Sequence, residues 1–251
     1  MKIRIKFRKY GTMKFIGHLD VMRYFQKAIR RADVDVCYSG GFSPHQIMSF
    51  AAPLGVGITS RGEYVDIEVS STKDSETMKK CLNGVMSEGF EVVSYRGLPD
   101  DAANAMSIVG AGDYTLAFRP GYEPEDMDKE TWFQGLIAFF ERPSVMVTKK
   151  TKRGEKEMDL KPLVYELRIC PEGDGEMEGP RLFMKISAGS AANVKPEQVL
   201  DAYYGFLGKE RPPFAFMVQR EEVYADRASD AEKEAGIHSF ISLEQLGEEI
   251  R

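Results

Sequence analysis

Lys2-Ile3-Arg4-Ile5-Lys6-Phe7-Arg8 alternates strictly between charged and apolar residues, and this alternation decides how the rest of the chain is read. A period of two sends successive side chains to opposite faces of a β-strand. Ile3, Ile5 and Phe7 therefore face a core, and Lys2, Arg4, Lys6 and Arg8 form a second face that is wholly basic. After a turn at Lys9-Tyr10-Gly11 a helix is predicted from His18 to Ala32, with Leu19, Met22, Phe25, Ile29 and Ala32 as its buried stripe. Arg23, Lys27, Arg30 and Arg31 fall on another face of the same helix.

Further along, Asp35–Tyr38 reads as a strand, Ser39-Gly40-Gly41-Phe42-Ser43-Pro44-His45 as a glycine-rich loop, and Ile47–Phe50 as extended. Glu63–Ser70 alternates as a strand, Ser75–Glu88 is helical and Phe90–Tyr95 closes the unit. The order β-α-β-β-α-β is the split arrangement of the ferredoxin-like fold, with helices on one face of an antiparallel sheet. A second run of strands and helices follows, from Tyr114–Phe118 through Lys129–Phe140 and Ser144–Thr148 to Phe214–Gln219. The expected class is α+β: two tandem ferredoxin-like (βαββαβ) units with antiparallel sheets, the second with an extra strand. The expected divisions are residues 1–98, a linker helix over 99–112, a second unit over 113–220 and an acidic extension over 221–251. That extension holds nine acids against three bases, with Ser242 and Gln245 spaced as a capping box.

The chain has 251 residues, with 29% charged and 43% hydrophobic, an ordinary globular mix. No stretch reaches the roughly 18 apolar residues of a membrane span, and the charged amino terminus is no signal peptide. A soluble, cytoplasmic protein with no membrane partner is expected. Cys37, Cys81 and Cys170 are widely spaced, and the histidines are His18, His45 and His238. This pattern excludes a disulfide framework and closely spaced metal motifs, so no metal and no cofactor is expected.

The net charge of −5 conceals an asymmetry. Residues 1–61 carry eleven Lys and Arg against Asp20, Asp33 and Asp35, a balance of +8, whereas the remaining residues sum to −13. One-sign clusters repel themselves and so favour a polyanion. Arg4, Arg8, Lys14, Arg23, Lys27, Arg30 and Arg31 are the candidate phosphate contacts, with His18, Phe42 and His45 beside the nucleotide. Of the neighbouring aromatics Tyr10, Phe15, Tyr24, Tyr38 and Phe42, more than half are expected in the core and the rest are available for stacking on bases. The hairpin Lys149–Lys161, with six basic residues, is a second basic element, equally well read as an exposed hairpin kept soluble by charge. Cys37 with His45 is a conceivable nucleophile pair, although strand cysteines are far more often small core residues.

Several of these segments together resemble a known family. They are Lys9-Tyr-Gly-Thr-Met-Lys-Phe-Ile-Gly-His-Leu-Asp-Val-Met-Arg23, Ala28-Ile-Arg-Arg-Ala32, Tyr38-Ser-Gly-Gly-Phe-Ser-Pro-His45, Ser49-Phe-Ala-Ala-Pro-Leu-Gly-Val-Gly57 and Glu63-Tyr-Val-Asp-Ile-Glu68. They resemble the radical-SAM-associated (radical SAM-linked) proteins, found beside or fused to B12-binding-type radical SAM proteins. The likeness is dense over residues 3–70 and looser through Asp159-Leu-Lys-Pro162 and Asn193–Pro196. Gly17 and Ser43 depart from it, standing where the pattern has Ser and Asn; Gly17 leaves the helix start without a side-chain acceptor. The resemblance implies a radical SAM partner encoded nearby. Joined to the basic face, it implies an RNA-binding adaptor with no catalytic residue of its own. Two alternatives stand beside this one: a metal-independent ribonuclease or nucleotide-acting enzyme using His45 and His18, and a protein-interaction subunit that binds no RNA.

Overall fold

The computed structural model describes residues 1–151, 154–170, 177–189 and 192–251. In chain order the elements are β1 (Lys2–Lys9), α1 (His18–Arg31), β2 (Met48–Phe50), β3 (Thr59–Glu68), α2 (Ser75–Asn83), β4 (Phe90–Leu98), α3 (Ala105–Ile108) and β5 (Val109–Phe118). Then come α4 (Lys129–Phe140), β6 (Met146–Thr151), β7 (Gly154–Asp159), β8 (Val164–Cys170), β9 (Arg181–Ser187) and α5 (Pro196–Phe206). The chain ends with β10 (Phe216–Asp226), α6 (Asp230–Glu234), β11 (Phe240–Ser242) and β12 (Glu248–Glu249). Two compact units result: Met1–Gly110 with Arg220–Arg251, and Ala111–Gln219.

In the first unit the strands run in the order β12-β4-β1-β3-β10, with β2 also on β3 and β11 on β10. β1 pairs antiparallel with both neighbours, Ile5 opposite Val65 on β3 and Tyr95 on β4. The alternation of β1 places Ile3, Ile5 and Phe7 in the core at 1% exposure or less. α1 and α2 cover that face through Val21, Phe25, Ile29, Met78 and Leu82. Aromatic packing joins the layers: Phe7 lies 4.4 Å from Phe25, and Tyr24 stacks on Phe90 at 4.5 Å. The helix lies in a different phase from the expected one. Leu19, assigned above to the buried stripe, is 65% exposed, whereas Val21 and Ala28 are buried.

The expectation of two tandem antiparallel ferredoxin-like units followed by an acidic tail is corrected. The sheet is mixed, with parallel pairing beside the antiparallel registers, and residues 220–251 are built into the first unit. Beyond its expected end at Gln219, β10 continues to Asp226, alternating Phe216, Val218 and Arg220 as buried positions. Its approach to β3 is close: a Cβ on Gly62 would come within 2.7 Å of the Glu221 carbonyl oxygen. Leu243 is fully buried, β12 pairs with β4, and Ile250 packs on the core. The continuation was hidden because Arg220 occupies an apolar slot of the alternation. The Ser242–Gln245 capping box is present, with each side chain accepting the other's backbone N–H, but it opens a 3₁₀ turn over Leu243–Leu246. The expected strand at Asp35–Tyr38 is reduced to single bridges, Val36 to Val69 and Tyr38 to Gln46.

In the second unit β5, β9 and β8 neighbour one another in that order, with β6 and β7 as a separate hairpin. β5 pairs antiparallel with β9, Tyr114 opposite Met184. Its core is aromatic: Phe118 lies 5.1 Å from Trp132, which lies 4.9 Å from Tyr203. Of the basic hairpin, residues 152 and 153 lie outside the described residues, as do residues 171–176 of the acidic loop and Ser190-Ala191.

Candidate functional site

The ten predicted site residues all belong to the first unit and fall on β1, on α1 with the turn before it, and on the glycine-rich loop. On β1 two of the four cations of the basic face, Arg4 and Lys6, are held in internal ion pairs. Arg4 is 2% exposed, and its Nε and Nη2 donate to both oxygens of Asp66 at 2.8 Å while Nη1 donates to the Leu243 carbonyl at 3.1 Å. Lys6 bridges Glu222 at 2.7 Å and Glu244 at 2.9 Å. Burial works against the Lys6 ammonium, yet the two carboxylates outweigh it and raise its pKa. Lys2 donates to the Ala102 carbonyl, and Arg8 meets Glu91 at 3.1 Å. Arg4 and Lys6 are thus closed off by their own unit, and Arg4 is withdrawn as a phosphate contact, whereas Arg8 stays 45% exposed in its pair. A charge buried with a bidentate partner is already compensated and is out of reach of a phosphate.

On α1 the cations remain outward. Arg23, Lys27, Arg30 and Arg31 are all exposed. Arg23 meets Asp20 at 3.4 Å, and both side chains are more than half exposed, a pair that contributes little. Lys27 has no ion pair among the described residues; Arg30 and Arg31 donate only to the Gln26 and Val85 carbonyls. Leu19 extends this face, and Phe15 (64% exposed) lies near its start with the Lys14 ammonium 5.6 Å from its ring.

Beside α1 the glycine-rich segment forms a projecting loop. The Tyr38–Gln46 bridge and the Ser39 N–H to His45 carbonyl bond close its base, and Gln46 donates to the Gln26 carbonyl of α1 at 3.3 Å. Gly41 takes φ +99°, which favours glycine, and turns the tip so that Phe42 stands fully in solvent. An aromatic so placed buries nothing in the unit itself and is available to a partner. His45 Nδ1 lies 2.8 Å from the Ser39 hydroxyl, and the ring lines a cavity of about 400 Å³.

His18 is elsewhere. It opens α1 and packs edge-on against Phe50 at 5.3 Å. Burial, and then the charge of Lys9, lower its pKa, so it favours the neutral form. The two histidines have no common partner among the described contacts, and the Cys37 sulfur lies 3.4 Å from the Ser70 hydroxyl rather than on His45.

Sequence reasoning missed a buried charged cluster behind these segments. Glu63 and Arg220 are 5% and 6% exposed and meet at 3.0 Å; Ser60 donates to Glu63, and Arg220 also donates to the Ala52 carbonyl. Burial raises the Glu63 pKa against the pull of Arg220 and Lys9. Lys9, 2% exposed, donates to the Ile16 carbonyl. The cluster ties the turn before α1 and the Ala51–Gly55 segment to β3, which explains why motif-dense stretches far apart in sequence converge here. Among the described residues no group of three His, Cys, Asp or Glu side chains is placed to hold a metal, and no helix is long and apolar enough to cross a membrane.

These features define an α-and-β protein on a mixed sheet, with internal ion pairs on one sheet face and one helix left cationic. A family model described as an uncharacterized protein conserved in bacteria (DUF2344) matches residues 2–196, and the chain belongs to that family. A search of curated proteins finds no match.

Proposed function

We propose that the first unit binds RNA and presents it to a separate radical SAM enzyme, acting as an adaptor without a reaction of its own. The observation that carries this reading is the exposed row Arg23, Lys27, Arg30 and Arg31, opposed among the described residues only by the weak Asp20 contact. A row of like charges costs self-repulsion, which a phosphate backbone relieves. The projecting Phe42 adds a stacking surface that tolerates any base. The radical SAM partner follows from the resemblance of residues 3–70 to proteins found beside such enzymes.

Filter binding over a salt series tests the reading. Four phosphate contacts predict a slope of about −3 in log K against log salt for single strands. Arg23→Glu with Lys27→Glu should lower affinity at least tenfold and flatten that slope by about 1.4. No retention of RNA at low salt rejects the proposal. His45, fixed by Ser39 at the edge of a cavity, favours a second reading as a general acid or base in RNA cleavage. Labelled RNA left intact by wild type and by His45→Ala alike decides for the adaptor.

A further inference from the structure

We infer that the cavity beside the Tyr38–Gln46 loop receives one base of the bound RNA and selects guanine. This rests on the RNA-binding reading above. The cavity, about 400 Å³, lies within the size range of small-ligand sites. Its walls include Lys2, Ser39, His45, Met48, Glu68 and Asn104.

The hydrogen bonds already made determine what is left for a ligand. Asp66 also lines the cavity, but both its oxygens are held by Arg4 and one accepts the Ala105 N–H as well. Asn104 Oδ1 accepts from the Ser49 hydroxyl at 2.9 Å and from the Met106 N–H at 3.0 Å, which leaves its amide N–H groups as donors. Lys2 gives one N–H to the Ala102 carbonyl at 2.8 Å and keeps two. Glu68 stands opposite Lys2 in the β1–β3 register, and its carboxylate has no partner among the described residues. The lining of the cavity thus includes one carboxylate without a described partner together with amide and ammonium donors, and Met48 and Ala103 as apolar surface.

That set matches the guanine edge, where two adjacent N–H groups suit a carboxylate and the neighbouring carbonyl suits an amide or ammonium donor. Adenine and cytosine would each turn a ring-nitrogen acceptor toward the carboxylate, and uracil has only one N–H to give it. Unpaired polar groups in a site of this kind are what reject the wrong base.

The test is fluorescence anisotropy with a short oligoadenylate and the same oligomer carrying one central guanine. Wild type should bind the guanine oligomer about tenfold tighter. Glu68→Gln should bring the ratio below twofold with oligoadenylate affinity unchanged. Ala103→Trp, which fills the cavity from an exposed position, should do the same should Glu68→Gln fail to fold. Retained, salt-sensitive binding with no guanine preference, or with preference for another base, overturns this inference and leaves the adaptor standing. No binding of either oligomer by wild type overturns both.

Discussion

Arg4 shows how far a residue's chemistry depends on what it meets. In the alternation of β1 it is one of four equivalent cations, yet it is 2% exposed with both carboxylate oxygens of Asp66 on its guanidinium. Breaking such a pair from one side leaves a buried charge unpaired, so Asp66→Asn should destabilise the first unit by about 3 kcal/mol. Hydrogen exchange of the β1 and β3 amides in urea measures this, and a loss under about 1 kcal/mol would contradict the assignment. Phe42 is the opposite case, fully in solvent at the loop tip. Phe42→Ala should leave stability within about 0.5 kcal/mol but weaken RNA binding by about 1–3 kcal/mol, the loss of one stacked base. A melting curve and a binding isotherm on the same sample separate these effects. The apolar half of β1 was legible because period-two alternation is local. The fate of its basic half was not, since Lys6 finds Glu222 across 216 residues and such a pairing leaves no local pattern.

At the scale of the element, α1 is a helix whose ends were read closely and whose rotation was not. Leu19, Met22, Phe25 and Ile29 fit a stripe by spacing, but so do Val21, Phe25, Ala28 and Ile29, and the second set is buried. Periodicity locates a helix better than it fixes its phase when apolar residues border both faces. The phase has functional weight, because it puts Leu19 on the same face as Arg23 and Lys27. Phe25→Ala should therefore cost about 3–5 kcal/mol and Leu19→Ala less than about 0.5 kcal/mol. Equal losses in thermal unfolding would restore the first phase. The helix start is also testable. Gly17 is the N-cap with no side-chain acceptor, extended at φ −78°, and nothing lies within 4 Å of the place a Cβ would take. Gly17→Ser should raise stability by a few tenths of a kcal/mol, and a decrease would mean that another contact occupies that position.

For the molecule as a whole, the acidic residues 220–251 carry the largest difference between reading and structure. Composition reads residues 221–251 as a solvated or partner-binding extension because nine acids outweigh three bases. Their carboxylates instead meet cations of the first hundred residues: Glu222 and Glu244 on Lys6, and Glu244 and Glu249 near Arg96. The opposed charge balance of the two ends of the chain, visible in sequence, is in part an internal complement rather than one surface for an anion and another for solvent. Stability should then depend on pH through this segment. Burial opposes the Glu244 carboxylate, but hydrogen bonds and charge from Lys6 lower its pKa below the ordinary 4.5. Burial likewise opposes Asp226, whose pKa is lowered by hydrogen bonds from His238, Ser239 and Ala228. A carboxylate with a depressed folded pKa stabilises fully above its unfolded value and loses that contribution as pH falls through the folded one. Glu63, with its pKa raised by burial, acts in the opposite sense: its contribution is greatest in acid and is lost as pH rises through the carboxylate range. The loss in acid should therefore be local to the carboxy-terminal segment rather than to β3. Protection factors for the β11 and β12 amides should fall between pH 6 and pH about 3, those of β3 should fall less, and Glu244→Gln should reduce the pH dependence of β12. Uniform protection of the segment across that range would mean that its docking rests on Leu243 and Ile250 alone.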